Sequence, residues 1–348
     1  MRLTKPSFKL KNSDQVVFSP SGKLLAQKGM SGTKISIWNI KNCELLAQHK
    51  IISNDDSIGF LPDEETMFVK NNNGELAFFK TFSGEIISQT GKNPLYAAGC
   101  KPIFHEVENY LYDGSSQGEL IAWNINPLEK ISIDLIEGYS IEKLVKDYAE
   151  SKFFAAIGAT VNSKESDGNK VGGSKILCFS KINDTENQEW LFPKEKELTD
   201  EYGIWKPIAD MDFNSTLVIA LKLMGQQEAP MIANLDIATG KAKFIYLESK
   251  YQTIWSVTSN DSVIISAVET SSHRAGMTWQ ESQKASEGVE EFHLYILDKN
   301  SLEIIDKVFW PEVRGAIFSP NGKSLAISSY VKSAYVDDYK KISNKLIR

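Results

Sequence analysis

Cysteine is scarce in this chain of 348 residues. Cys43, Cys100 and Cys178 lie far apart, form no CxxC pair and are odd in number. That argues against a disulfide framework and against a structural zinc site. All three read as reduced, mostly buried thiols. Histidine is scarce too. His49, His105, His273 and His293 show no metal-ligand spacing, and none stands beside an obvious nucleophile. His293 falls inside an alternating strand and reads as a packing residue. GxSxG, P-loop and HExxH patterns are missing. An excess of positive charge is also missing, with 39 Lys and Arg against 45 Asp and Glu. A nucleic-acid-binding chain wants a basic face, so the formal charge of −6 argues against that partner. No stretch approaches the ~18 apolar residues of a membrane span. The start, Met1-Arg2-Leu3-Thr4-Lys5-Pro6, opens no apolar segment of a secretory signal. The expectation is a soluble cytoplasmic monomer with no cofactor and no nucleic-acid or membrane partner.

What is present is a repeat. Phe18-Ser19-Pro20-Ser21-Gly22-Lys23 returns as Phe318-Ser319-Pro320-Asn321-Gly322-Lys323. Each copy lies between apolar runs, as the turn of a β-hairpin does. Proline presets φ at the second turn position, and glycine tolerates a positive φ at the fourth. Between the copies, short alternating runs recur, such as Lys34–Ile40, Glu75–Phe79 and Glu119–Ile125. Segments 161–174 and 270–290 interrupt the rhythm as long insertions. Setting those aside leaves about 44 residues per step over six steps, within the roughly 40–45 of a propeller blade. The pattern predicts one all-β domain over 1–348, a seven-bladed β-propeller of four-stranded antiparallel blades. The last blade lacks a good fourth strand. Ser7-Phe8-Lys9-Leu10 alternates correctly and lacks a partner, so residues 1–12 are expected to pair with the last blade and close the ring.

The Ser-Pro-x-Gly hairpins, with Trp38-Asn39 and Trp123-Asn124 at the ends of third strands, resemble the WD-repeat β-propellers across essentially the whole chain. Aligned positions read Phe79-Lys80, Phe179-Ser180, Leu235-Asp236 and Leu297-Asp298, so tryptophan and aspartate never meet in one blade. The Gly-His pair that usually opens such repeats is absent. The resemblance implies the fold without the family's histidine–aspartate network, so apolar packing between blades must hold it. Ala233–Lys241 is similar to the repeat of quinoprotein dehydrogenase propellers. A single copy built of ordinary turn formers reads as a polar turn and implies no quinone.

Function is expected on loops carried by this scaffold. Connections between second and third strands open on the face of the inter-blade connections, and blades four to six carry the largest. The candidate partner-binding residues are Met224, His273, Arg274, Met277 and Trp279, because tryptophan and arginine dominate interface hot spots. The expected function is a non-catalytic module that binds another protein through this sector. Lysine-, asparagine- and isoleucine-rich usage in so divergent a repeat suggests a bacterial scaffold, adaptor or toxin-neutralising immunity protein. The alternative is a metal-dependent hydrolase or lactonase with calcium in the central funnel, held by Glu142, Asp210 and Asp212 with Asp56 nearby. Lys143 and Arg314 occupy matching regions of other blades and favour a mixed-charge funnel. Trp205 and Trp255 read as inter-blade core, with a small-ligand or peptide site at the channel mouth as the other reading.

Overall fold

The computed structural model describes residues 8–10, 13–29, 34–52, 55–93, 100–106, 108–135, 139–146, 153–159, 174–179, 188–192, 205–211, 216–223, 230–236, 239, 241–247, 252–260, 262–269 and 291–337. Among these residues there is no helix, and every sheet is antiparallel and four-stranded. β1 (Phe8–Lys9) comes first. The first sheet is β2 (Ser13–Phe18), β3 (Leu24–Gly29), β4 (Ile35–Asn39) and β5 (Glu44–His49). The second is β6 (Asp55–Phe60), β7 (Thr66–Asn71), β8 (Leu76–Lys80) and β9 (Ile86–Gln89). The third is β10 (Ile103–His105), β11 (Tyr110–Gly114), β12 (Glu119–Ile125) and β13 (Leu128–Leu135). The fourth is β14 (Tyr139–Lys146), β15 (Phe153–Ala159), β16 (Ser174–Phe179) and β17 (Gln188–Phe192).

The fifth sheet is β18 (Trp205–Met211), β19 (Thr216–Leu223), β20 (Met231–Asp236) and β21 (Lys241–Tyr246). The sixth is β22 (Gln252–Ser259), β23 (Ser262–Glu269), β24 (Glu291–Asp298) and β25 (Ile304–Phe309). The last is β26 (Val313–Phe318), β27 (Leu325–Ser329) and β28 (Ala334–Val336), with β1 as its fourth strand. In that strand Phe8 faces Tyr335 and Lys9 faces Ala334. Leu10 N–H donates to Ser333 O at 3.2 Å, and the Ser13 and Ser333 hydroxyls meet at 2.6 Å. Ser174, counted above with an insertion, opens β16.

The repeated phrase folds the same way twice. Gly22 N–H donates to Ser19 O at 2.9 Å with φ +70°, and Gly322 N–H donates to Ser319 O at 2.8 Å with φ +67°. Each serine hydroxyl accepts a backbone N–H across the turn, from Leu24 at 3.1 Å and from Ser324 at 3.0 Å. The second sheet makes this turn without glycine. Glu64 takes φ +56°, and its N–H donates to Leu61 O at 3.0 Å. Its carboxylate accepts from Ser21, so the residue that departs from the phrase ties one hairpin to the next.

Packing follows the period of two. Side chains on a strand alternate between faces, and here each face meets a different neighbouring sheet. Met67, Val69, Ala77 and Phe79 pack with Val17, Ala26 and Ile37 of the first sheet. Phe68, Leu76 and Phe78, between them in sequence, pack with Leu111, Ile121 and Trp123 of the third. Phe292, Leu294 and Ile296 likewise face the last sheet, while Tyr295 and Leu297 face the fifth. Burial on both faces explains the unbroken apolar runs Leu24–Ala26 in β3, Met67–Val69 in β7 and Leu76–Phe79 in β8. First strands stand against one another in chain order through much of the molecule, and β26 and β27 stand against β2. Leu10, Val16, Leu25 and Ala326 form the core between the last sheet and the first. As the missing histidine–aspartate network implied, apolar contact carries these junctions, and Trp38 Nε1 donates instead to Gln27 Oε1 at 3.1 Å.

One buried ion pair crosses a junction. Lys70 Nζ on β7 lies 2.6 Å from Asp113 Oδ1 on β11, with side chains 4% and 2% exposed. The ammonium also reaches Cys100 O and Gly114 O at 3.4 Å, and Gly114 N–H donates to Asp113 Oδ1 at 2.8 Å. Burial pushes the Asp113 carboxyl up from its usual value, against the charge and hydrogen bond of Lys70. Gly114 is required there, because a Cβ would sit 2.4 Å from Ile141 Cγ2. Burial, and then the Asp113 charge, push the adjacent Cys100 thiol up to about 12. Cys43 departs from the expectation of a buried thiol. It occupies the polar turn between β4 and β5 at φ +56° and is exposed.

Two measurements check this packing. Lys70→Met leaves Asp113 without its partner and is expected to cost about 3–5 kcal/mol in urea unfolding. The double change Lys70→Met/Asp113→Leu is expected to recover most of that loss, because an apolar pair needs no desolvation of charge. Thiol labelling of the native protein at pH 8, read by mass spectrometry, is expected to modify Cys43 quickly and leave Cys100 unmodified. Labelling of Cys100 at the rate of Cys43 would contradict the burial described.

Candidate functional site at the inner-strand bulges

The first strands of five sheets share a defect. Pairing shifts by one residue between Ser13 and Gln15, Asp55 and Ser57, Ile141 and Lys143, Ile254 and Ser256, and Val313 and Gly315. The residues passed over are Asp14, Asp56, Glu142, Trp255 and Arg314. A bulge leaves its extra residue outside the ladder and re-aims its side chain. All five lie near the starts of their strands, at the end opposite the hairpins. β15, β19 and β23 finish at that same end, since Ala159 pairs with Tyr139, Leu223 with Trp205 and Glu269 with Gln252.

Three of these bulges are connected through side chains. The Arg314 guanidinium carbon stands 4.5 Å from the Trp255 ring centroid, 4.0 Å from that of Tyr330 and 5.9 Å from that of Phe292. Tyr330 follows β27, and its hydroxyl donates to Asp14 Oδ1 at 3.1 Å. Asp14 Oδ2 lies 2.8 Å from the ammonium of buried Lys28. Burial, and then the negative charge of Asp14, raise the Tyr330 phenol above its usual pKa. Serines brace the strands beneath. Ser256 and Ser266 hydroxyls meet at 2.7 Å, Ala316 N–H donates to Ser256 Oγ at 3.2 Å, and Ser328 Oγ donates to Gly315 O at 3.3 Å.

Two features make this cluster chemically open. Trp255 is 43% exposed, which corrects its reading as inter-blade core. The cause is the bulge, which takes its side chain out of the alternation that buries Ile254 and Val257. Arg314 has its Nε shielded from solvent without a hydrogen-bond partner, and among the described residues no carboxylate lies within ion-pair distance of its guanidinium. The aromatic rings engage the guanidinium as a cation and do not accept in-plane hydrogen bonds from its N–H groups.

The other end of the inner strands holds a cavity of 520 Å³. Phe18, Phe60, Phe104 and Phe318 line it with Pro20, Pro62, Pro102 and Pro320. Lys146 on its wall pairs with Glu106 at 2.7 Å. Most of its lining comes from the first strands of six sheets and the residues flanking them.

Met224, His273, Arg274, Met277 and Trp279 lie outside the described residues, as does Asp212. Glu142 and Asp210 fall on β14 and β18, with their side chains outside the description, and Asp56 lies within β6. Among the described residues no three His, Cys, Asp or Glu side chains gather as a metal site requires. His293 is a buried strand residue beside Tyr295 and Phe309. Tyr330, Asp14 and Lys28 escaped sequence reasoning. A register signal was there for the bulges: Asp14, Asp56 and Arg314 each stand five residues before the residue that opens a Pro hairpin, Ser19, Leu61 and Ser319.

No protein-family description matches the chain, and no curated protein matches it. Among solved structures, a chain of Kuenenia stuttgartiensis hydrazine synthase is similar, with a TM-score of 0.63 at 11% identity, covering 97% of this chain and 99% of that one. At that identity the likeness is one of fold alone, and it is a propeller-like fold. No helix among the described residues is long and apolar enough to cross a membrane.

Arg314→Ala is expected to destabilise the chain by about 1–2 kcal/mol in urea unfolding, the scale of a partly desolvated cation–π contact. Arg314→Lys is expected to lose less. A loss below about 0.3 kcal/mol for Arg314→Ala would show that the stack carries no structural weight.

Proposed function

We propose that this chain is a single-domain, seven-bladed β-propeller, closed where β1 completes the last sheet, that binds a partner protein and catalyses nothing. The closure reading is supported by the contact of β26 and β27 with β2 and by the core around Leu10 and Ala326. The binding face is the one on which the inner strands begin. One observation carries this choice: exposed Trp255 beside Arg314, whose guanidinium no carboxylate among the described residues pairs. Tryptophan, arginine and tyrosine are hot-spot residues, and here Trp255 and Arg314 sit preorganised on strands, with Tyr330 directly after the end of β27. The segments after β19 and β23, which carry Met224, His273, Arg274, Met277 and Trp279 in sequence, follow strands that finish at the same end. The partner buries roughly 1,200–2,000 Å² of total surface, the standard size of a specific complex. A cytoplasmic, monomeric scaffold, adaptor or toxin-neutralising protein of a bacterium fits this reading.

The test is affinity capture from native lysate with wild type, Trp255→Ala/Arg314→Ala and Arg274→Ala/Trp279→Ala side by side. One stoichiometric protein is expected with wild type, lost in the first variant and weakened in the second. Retention by both variants would move the interface off this face. An empty wild-type lane would overturn the binding reading.

A further inference from the structure

Among the described residues, no carboxylate lies within ion-pair distance of Arg314. Its guanidinium lies within cation–π distance of the Trp255 and Tyr330 rings. Its Nε is desolvated and unpaired. Lys28, the nearest cation in the connected cluster, is engaged by Asp14. A guanidinium held by aromatic rings has lost its rotamer freedom before any ligand arrives, and less is lost per hydrogen bond then formed. A planar acceptor with two oxygens matches the remaining edge.

We propose that Arg314 is a carboxylate receptor, and that its ligand is an acidic side chain in a segment of the partner, flanked by an apolar residue that covers Trp255. This rests on the partner-binding reading above. The ligand is a monoanion and not a phosphate. A phosphate carries nearly two charges and calls for a second cation, whereas Asp14 and Glu312 act on Tyr330 from the same cluster. The attraction acts at contact and not at range, because the chain as a whole is negative and salt screens distant charge. An apolar neighbour is required because the indole offers hydrophobic area next to the charged edge.

The experiment labels tryptophan with ¹⁵N and follows the Trp255 indole resonance, assigned by its loss in Trp255→Phe. The probes are the blocked peptides acetyl-Leu-Glu-Leu-amide and acetyl-Leu-Gln-Leu-amide. The acidic peptide is expected to shift the resonance saturably. The glutamine peptide is expected to bind about tenfold more weakly or not at all, the scale of a lost charge-assisted pair. Arg314→Gln is expected to lose the preference for the acidic peptide, and Arg314→Lys to keep part of it while the fold is intact. Equal binding of the two peptides, no shift with either, or an unchanged preference in Arg314→Gln would each overturn the proposal. Partner capture separates the two ideas. Capture lost in Trp255→Ala but retained by Arg314→Gln removes the carboxylate and leaves the binding module standing. Peptide binding without any captured protein does the reverse.

Discussion

Among the described residues, the first, second, third, sixth and last sheets are covered on both faces, and the rest of the structure depends on that. Odd and even residues of a single strand belong to different cores, as Ala77 and Phe79 face one neighbour while Leu76 and Phe78 face the other. No sheet can bury its apolar residues alone, so its stability is a property of the junctions. The outermost strands show the boundary of the rule. β5 and β21 are largely exposed, and Leu45, Leu46 and Phe244 keep substantial area in water. The Lys70–Asp113 pair lies in a junction where water is excluded. Its Coulomb gain is offset by desolvation, so it adds little net stability.

The same architecture makes one position on five of the inner strands available for chemistry. A bulge takes a side chain out of the buried alternation and disturbs the ladder only locally, since pairing resumes after it. Repetition delivers that position to a common end of the fold, and its occupants differ: Asp14, Asp56, Glu142, Trp255 and Arg314. Scaffold and site are therefore separable. Many solved chains share a fold of this kind, 1626 of them by structural likeness, so the fold names no activity and the occupants of the bulges carry the information.

The hairpins were the most legible part of the chain, because proline and glycine act locally. Pro20 and Gly22 impose turn geometry whatever surrounds them, and Ser319–Gly322 reproduces it. Glu64 was less legible. It holds a positive φ that its residue type disfavours, and its carboxylate bonds to a hairpin 43 positions away in sequence. Trp255 was misread for a related reason. Its neighbours Ile254 and Val257 are buried, and strict alternation does not reveal where a strand gains one residue. Cys43 was misread because thiols are buried on average, and a turn between two outer strands overrides that average.

By itself the sequence determined the fold class and the repeat, since turn chemistry and two-residue periodicity are encoded over short stretches. It also determined which side chains are available at the bulge positions. Only the tertiary structure decided that Arg314, Trp255, Tyr330, Asp14 and Lys28 form one connected group. Those residues come from the first, sixth and last sheets and span more than 300 positions. Their meeting follows from the packing of successive sheets, and local sequence carries no record of a contact between strands so far apart.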